Sequence, residues 1–224
     1  MGEKQNTKRI NMMRQFIDTA FQMAQEEGFN AITVRNLASK TNYNSSTIYY
    51  YFSNFDTLLT FVALKYLSQF FKELWHIRQN YVNSIDLFLK TFDTFIKFVI
   101  KYPQQFQALI LNDAIELDEV LKIYYEIYPD GHIREYSTFP IIRKNGITSV
   151  PTLELCISHG HIKAKSRDKI IELMDSIFYT LIKKSLTTTD VKELSDIENR
   201  YNEYLRLFIQ CYKTPIGILN CPDI

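Results

Sequence analysis

The stretch that decides the fold is GFNAITVRNLASKTNYNSSTIYYYFSNFDTLL, residues 28–59. Thr33 and Asn44 each precede a short run with apolar residues at helical spacing, and their side chains can accept the unpaired backbone N–H groups of a first helical turn. Asn42 lies between the two runs, and asparagine takes a positive φ more readily than most residues. The stretch therefore predicts two short helices joined by a tight turn, the geometry of a helix-turn-helix.

A longer helix is predicted before this stretch, with Thr7 as its N-cap and Gly28 in a left-handed C-terminal cap. Its apolar residues, at spacings of three and four, are Ile10, Met13, Ile17, Ala20, Phe21 and Ala24. The side chains expected to pack the two short helices against it are Leu37, Ala38, Tyr43, Ile48 and Phe52. Residues 1–55 are thus predicted to form a three-helix, helix-turn-helix DNA-binding domain.

The rest of the chain, 56–224, is predicted to be a second helical domain, so the fold class is all-α. Helical spacing continues at 56–78, 84–101, 103–128 (bent or broken), 152–158, 166–186 and 190–212. Asp190 and Glu193 form a candidate capping box. Residues 129–151 contain spaced prolines and glycines, and we expect loops there with one short helix near Ile141.

Composition narrows the class of protein without deciding its partner. The 224 residues are 46% hydrophobic and 23% charged, with a net charge of +1, so a DNA-binding role must depend on local charge. Three cysteines without CxxC spacing suggest a reducing compartment. With no apolar run long enough for a signal or a membrane helix, we expect a cytoplasmic protein.

The segment 28–59 resembles the DNA-binding region of the tetracycline-repressor (TetR) family. That family has a Gly after helix 1, Thr-Val opening helix 2, an inner Leu-Ala pair, a turn, small residues before Tyr-x-Tyr-Phe, and an acidic residue before Leu-Leu. The matching positions are Gly28, Thr33-Val34, Leu37-Ala38, Asn42, Ser45–Thr47, Tyr49–Phe52, Asp56 and Leu58-Leu59. Two positions depart from the pattern: Asn42 replaces the usual Gly, and Phe55 replaces a common Lys that would contact a phosphate.

Within the helix-turn-helix, the small and hydroxyl-bearing side chains of the second short helix are expected to meet base edges in the major groove. Thr33 could bind a phosphate at a helix N-terminus, and Lys4, Lys8 and Arg9 could form a basic arm. The predicted DNA-binding residues are Lys8, Thr33, Arg35, Asn44, Ser45, Ser46, Thr47, Tyr49 and Tyr50. Residues 1–56 hold six basic and five acidic side chains, a small excess of positive charge for a DNA-binding domain. Arg14 and Lys40, taken singly, could equally well be ordinary solvated surface residues.

The resemblance also implies an inducer pocket and a dimer. Aromatic residues that could line the pocket, or simply pack the core, are Phe71, Trp75, Phe92, Phe95, Phe106, Tyr124 and Tyr128. Asp113 and Glu116 could select a cation, and His132 or Arg134 an anion. The closing helices would build a four-helix dimer interface, or pack on their own domain, through Ile170, Met174, Ile177, Phe178, Leu181, Tyr201, Leu205 and Phe208.

The expected function is a ligand-responsive transcriptional regulator, a repressor that binds a palindromic operator as a homodimer and is released by a small-molecule inducer. Phe55 and the low N-terminal charge keep an alternative open, a TetR-like interaction module or co-regulator with little DNA affinity. His159 and His161, two residues apart, do not share a helix face, so no metal is expected. We expect no cofactor and no enzymatic activity, because no catalytic motif accompanies the fold.

Overall fold

The structure is a computed structural model that describes residues 3–110, 117–129, 141–143 and 146–215. Its contacts divide the chain into two compact units. The N-terminal unit comprises residues 1–68 and 104–131, and the C-terminal unit comprises 69–103 and 132–224. The boundary after residue 55 stays a prediction about domain organisation. The all-α fold class is confirmed by the helical content of both units.

The N-terminal unit consists of helices and one 3-10 turn. Its elements are α1 (Glu3–Glu27), the turn Phe29–Ala31, α2 (Val34–Thr41), α3 (Ser45–Tyr51), the first part of α4 (Phe55–Gln79), α6 (Pro103–Ile110) and α7 (Leu117–Ile127). The predicted N-cap at Thr7 is wrong, because α1 already includes Glu3 and Thr7 lies inside it.

The core of this unit forms around Phe16 of α1, which is fully buried. Its ring centroid lies 5.5 Å from that of Tyr43, 6.0 Å from Tyr51 and 6.3 Å from Phe52. Ile48 of α3 is fully buried as well. A seven-residue helix such as α3 is not stable alone in water, so this packing against α1 is what holds it in place.

A polar cluster joins α1 to α4 and α7 within the same unit. The Tyr128 hydroxyl donates to Asp18 at 2.6 Å, and the Lys65 ammonium group also donates to Asp18. Lys65 lies 4.8 Å from the ring centroid of Phe21 and 5.0 Å from that of Tyr128. Burial, followed by the hydrogen bond to Asp18, raises the pKa of Tyr128, so its hydroxyl remains a donor.

The C-terminal unit is built around α5 (Ser84–Lys101), which contacts α8 (Pro151–Ser158), α9 (Arg167–Thr187) and α10 (Val191–Tyr212). Asn83 caps α5 by accepting from the backbone N–H groups of Ile85 and Asp86, both at 3.0 Å. Aromatic rings fill the centre of the unit: Phe178 stacks on Phe92 at 5.5 Å and lies 4.1 Å from Phe95. The apolar periodicity of these helices thus corresponds to a shared core.

The short helix predicted near Ile141 is wrong. A strand, Ile141–Arg143 (β1), pairs antiparallel with Gly146–Ser149 (β2), and Ile142 lies opposite Ile147. The sequence IIRKNGIT (141–148) accounts for the difference, since isoleucine and threonine favour extended backbone and an Asn-Gly pair favours a turn.

The helical stretch predicted at 103–128, bent or broken, corresponds to α6 (Pro103–Ile110) and α7 (Leu117–Ile127), and residues 111–116 lie outside the described residues. At the C-terminal end, Asp190 caps α10 by accepting from the N–H group of Lys192 at 2.9 Å. Glu193 accepts from the Thr188 hydroxyl at 2.6 Å rather than from the N–H group of Asp190. Among the described helices, none combines the length and the apolar character needed to cross a bilayer.

A buried histidine makes the stability of the C-terminal unit depend on pH. His161 Nδ1 lies 2.6 Å from the Ser84 hydroxyl at the start of α5. Burial, with the neighbouring His159 as a second cause, lowers the pKa of His161 from its ordinary value of 6.5. The unfolded chain therefore takes up a proton more readily than the folded chain as the pH falls below 6.5.

We expect acidification from about pH 7.5 to about pH 5.5 to lower the free energy of unfolding of the wild type more than that of His161→Gln. The measurement is urea unfolding followed by circular dichroism at both pH values. The exposed His159 supplies a matched control, and His159→Gln should keep most of the wild-type pH dependence. Parallel pH profiles for the wild type and His161→Gln would contradict the expectation.

Candidate nucleic-acid interface

The helix-turn-helix begins with the N-cap predicted for α2. The Thr33 hydroxyl oxygen accepts from the backbone N–H of Asn36 at 3.1 Å, and α2 runs from Val34 to Thr41. Gly28, before it, has the expected positive φ of 90°, but its ψ of 158° is extended rather than left-handed helical. The start of α2 is therefore confirmed, and Gly28 provides the change of direction after α1 in a different conformation from the one expected.

The turn between α2 and α3 depends on Asn42, which is left-handed with φ 57° and ψ 33°. Its N–H donates to the Ser39 carbonyl at 3.3 Å, while the N–H of Tyr43 donates to the Ala38 carbonyl at 3.1 Å. These two bonds form a Schellman motif, which satisfies the last carbonyls of α2. The positive φ expected for Asn42 is confirmed.

Asn44 caps α3 as predicted. Its Oδ1 accepts from the Thr47 N–H at 2.8 Å and also from the hydroxyls of Ser46, at 2.6 Å, and Thr47, at 2.8 Å. This three-way contact is a feature that we did not predict from the sequence. An asparagine N-cap followed by hydroxyl residues two and three places later was the signal for it.

The outward face of α3 is polar and uncharged. Ser45 and Ser46 are exposed, Thr47 is half-buried, and Tyr49 and Tyr50 are 50% and 76% exposed. The two tyrosines can reach beyond the helix, whereas the three small side chains leave its first turn open to close approach. The face therefore offers hydroxyl groups for hydrogen bonding and two aromatic rings for stacking.

Contacts within the chain decide which basic side chains near the helix-turn-helix are available. Lys40 pairs with Glu27 at 3.2 Å and Glu26 at 3.6 Å, and the hydrogen bond to Glu27 raises its pKa. Arg14 donates to the carbonyl oxygen of Ile127, and its guanidinium carbon lies 5.7 Å from the Tyr128 ring centroid. Lys8 and Arg35 are exposed.

The aromatic residues expected to line a pocket fall into two groups. Phe71, Trp75, Phe92 and Phe95 belong to the C-terminal unit, and Phe106, Tyr124 and Tyr128 belong to the N-terminal unit. Trp75 is 45% exposed, whereas Phe92 and Phe95 are buried against Phe178. Asp113, Glu116, His132 and Arg134 lie outside the described residues. The inducer pocket stays a prediction.

A cleft that the sequence did not indicate lies in the N-terminal unit beside the start of α4. Its volume is about 390 Å³. Most of its lining side chains carry amide or apolar groups, and Asp56 supplies a carboxylate. The lining residues are Phe29, Asn30, Ile32, Asp56, Leu59, Gln104, Gln107 and Ala108.

Of the eight side chains predicted for a dimer interface, all except Phe208 are buried within the single chain. The dimer interface stays a prediction. The outer face of α10 carries an apolar stripe at helical spacing: Tyr204, Leu207, Phe208 and Cys211. Tyr204 is 50% exposed and Leu207 is 52% exposed.

The sequence matches a family model at its N-terminal end. Residues 16–60 match the model described as bacterial regulatory proteins of the tetR family, and this segment includes both helices of the helix-turn-helix. No curated protein matches the chain.

Several solved structures share the fold over most of both chains. The ketosteroid transcriptional regulator of Mycobacterium tuberculosis is 14% identical, with a TM-score of 0.51 over 91% of this chain and 95% of that one. A TetR-family regulator from Mesorhizobium loti is 13% identical, with a TM-score of 0.54 over 92% and 98%. A TetR-family repressor from Thermus thermophilus, solved with lauroyl-CoA, is 13% identical, with a TM-score of 0.52 over 87% and 93%.

The left-handed turn between α2 and α3 generates a test of the interface geometry. We expect Asn42→Gly to retain the stability of the wild type, because glycine adopts positive φ without a steric penalty. Asn42→Val should lower the free energy of unfolding by about 1–2 kcal/mol or more, since a β-branched residue is strained there. Thermal and urea unfolding of the two variants measure the difference. Equal stabilities for Gly and Val would show that the turn does not require this backbone conformation.

Proposed function

We propose that the protein is a ligand-responsive TetR-family repressor that binds a palindromic operator as a homodimer, because residues 16–60 match the tetR-family model and the chain shares the fold of solved regulators of that family. The observation that carries this proposal is α3. Its buried Ile48 anchors the helix on α1, while its opposite face presents only hydroxyl and aromatic groups to solvent. Such a face suits the major groove of DNA.

In this proposal the first turn of α3 lies against base edges, through Ser45, Ser46 and Thr47. Tyr49 and Tyr50 contact bases or phosphates farther along the groove, and Asn44 lies at the entry of the helix. Lys8, Arg35 and the N-terminus of α2 at Thr33 hold the phosphate backbone. Because Lys40 and Arg14 are engaged within the chain, the phosphate contacts in this proposal come mainly from Lys8 and Arg35, and DNA binding should weaken as the salt concentration rises.

The proposed homodimer uses α9 and α10. Two recognition helices must lie about 34 Å apart to enter successive major grooves on one face of DNA, and a two-fold symmetric dimer provides this. The exposed apolar stripe of α10 is a surface that a second copy could cover. Side chains in the centre of such an interface would come from Tyr204, Leu207 and Phe208.

The proposed effector is a small molecule that shifts the population between two spacings of the recognition helices. Two solved structures with this fold are a ketosteroid transcriptional regulator and a repressor in complex with lauroyl-CoA, and steroids and long acyl chains are both large, mainly apolar groups. An aromatic lining drawn from the residues predicted for the pocket would suit an apolar ligand. The contacts of α1 with α4, through Asp18 and Lys65, support α4 as the element that carries the change.

The experiment that tests operator binding is a mobility-shift titration with DNA from immediately upstream of the protein's own gene, at two salt concentrations. We expect competitor-resistant binding by the wild type. Ser45→Ala/Tyr50→Ala should bind at least about tenfold more weakly, because each lost base or phosphate contact costs roughly 1 kcal/mol or more. Both side chains are exposed, so this variant should unfold as the wild type does.

Two results would count against operator recognition at that DNA. One is wild-type binding no tighter than to random DNA, and the other is an unchanged affinity in the double variant. If binding is also insensitive to salt, the interaction-module alternative becomes the better description, because phosphate contacts release counterions and so make DNA binding salt-dependent.

Dimerisation has its own test. Leu207→Glu places a carboxylate in the middle of the exposed stripe on α10, where burial in an interface would leave it unpaired. We expect this variant to sediment as a monomer in analytical ultracentrifugation and to lose affinity for DNA. Val191→Glu is the matched control, since Val191 is also exposed on α10 but lies at its first residue. A Leu207→Glu dimer as stable as the wild type would place the interface elsewhere.

A further inference from the structure

We propose that Asn44 makes α3 select amino bases, adenine or cytosine, on the DNA strand that the helix contacts. It does so by holding the hydroxyl hydrogens of Ser46 and Thr47 away from the DNA. The proposal rests on the proposed function of α3 as a recognition helix. It adds the chemical basis on which that helix discriminates between sequences and the residue that decides it.

The orientation of the Asn44 amide is determined by the backbone. The Thr47 N–H is a donor, and it points at an atom of the Asn44 side chain 2.8 Å away, so that atom must be the oxygen. The same oxygen lies 2.6 Å from Ser46 Oγ and 2.8 Å from Thr47 Oγ1. A carbonyl oxygen can only accept, so each hydroxyl donates its single hydrogen whenever it makes this contact. The two hydroxyls share the lone pair that the Thr47 N–H leaves free.

A hydroxyl whose hydrogen is directed at Asn44 can offer only its lone pairs to another partner. A serine or threonine hydroxyl ordinarily rotates to donate or accept, so it distinguishes bases poorly. Here Ser46 is exposed and Thr47 is half-buried, both in the first turn of α3, the part of a recognition helix that meets base edges. Toward the groove they act as acceptors.

The major groove offers such acceptors only two kinds of partner. Adenine presents the N6 amino group and cytosine the N4 amino group, whereas guanine O6 and thymine O4 are acceptors. An acceptor facing another acceptor leaves both desolvated and unpaired, which is costly in a closed interface. Every base pair has one amino base, so the selection concerns which strand carries it.

The rest of α3 does not override this selection. The helix sequence SSTIYYY contains no arginine or lysine, the side chains that read guanine through O6 and N7. Ser45, one residue earlier, is exposed, and among the hydrogen bonds of the described residues it makes none to Asn44. Its hydroxyl can rotate, so Ser45 provides an internal comparison for a hydroxyl that is not held.

The test is selection from a pool of random DNA duplexes by the full-length protein, followed by sequencing of the bound fraction. The positions that face Ser46 and Thr47 are identified as those whose base preference disappears in Ser46→Ala and in Thr47→Val. At these positions we expect the wild type to enrich adenine and cytosine over guanine and thymine on one strand by about tenfold.

Three further variants isolate the role of Asn44. Asn44→Gly keeps a good N-cap but removes the acceptor, so the hydroxyls can rotate and the amino preference should fall to about twofold or less. Asn44→Asp retains an acceptor oxygen, so the preference should persist even if repulsion between the new carboxylate and the DNA phosphates lowers the overall affinity. Ser45→Ala should weaken binding and leave the preference at the two positions unchanged. Circular dichroism and melting temperature verify that each variant is folded.

The outcomes separate this inference from the function on which it rests. If the wild type enriches no sequence, operator recognition fails and the inference fails with it. If the wild type enriches a sequence but guanine or thymine occupies the two positions, only the inference is overturned. The inference alone is also overturned if the amino-base preference survives in Asn44→Gly, or if neither Ser46→Ala nor Thr47→Val changes the base preference at any position.

Discussion

The packing of α3 against Phe16 of α1 is the contact on which the proposed DNA-binding surface depends. A helix of seven residues has too few internal hydrogen bonds to offset the entropy of its first turn, so α3 exists because Ile48 and Phe52 are buried. Burying each such side chain contributes roughly 1.5–3 kcal/mol. The exposed side chains of Tyr49 and Tyr50, on the opposite face of α3, are therefore not needed to pack the helix against α1.

The other side of α1 connects the helix-turn-helix to the remainder of the N-terminal unit. Asp18 receives hydrogen bonds from Lys65 of α4 and from Tyr128, just beyond α7. Lys65 lies between two aromatic rings, which orders its long side chain and partly desolvates its charge. A shift of α4 relative to α1 would therefore have to break this cluster or carry α1 with it.

Fewer basic side chains near the helix-turn-helix are available to a partner than a count of basic residues suggests. Lys40 is paired with Glu26 and Glu27, and Arg14 is engaged with Tyr128 and the carbonyl of Ile127. Recognition by hydroxyl groups suits such a surface, because hydrogen-bond direction then carries the specificity while a few phosphate contacts hold the register. Phe55, where the family often has lysine, fits the same pattern.

Local features could be read from the sequence by itself. Thr33, Asn42 and Asn44 act on backbone groups no more than three residues away, so the caps, the turn and the all-α class were predictable, and IIRKNGIT (141–148) also held the signal for the hairpin that we missed. Only the tertiary structure decided which cations are available and which apolar residues of α9 and α10 stay exposed. Arg14 meets Ile127 and Asp18 meets Lys65 across long stretches of chain, and no periodicity within a helix specifies the partner that folding brings beside it.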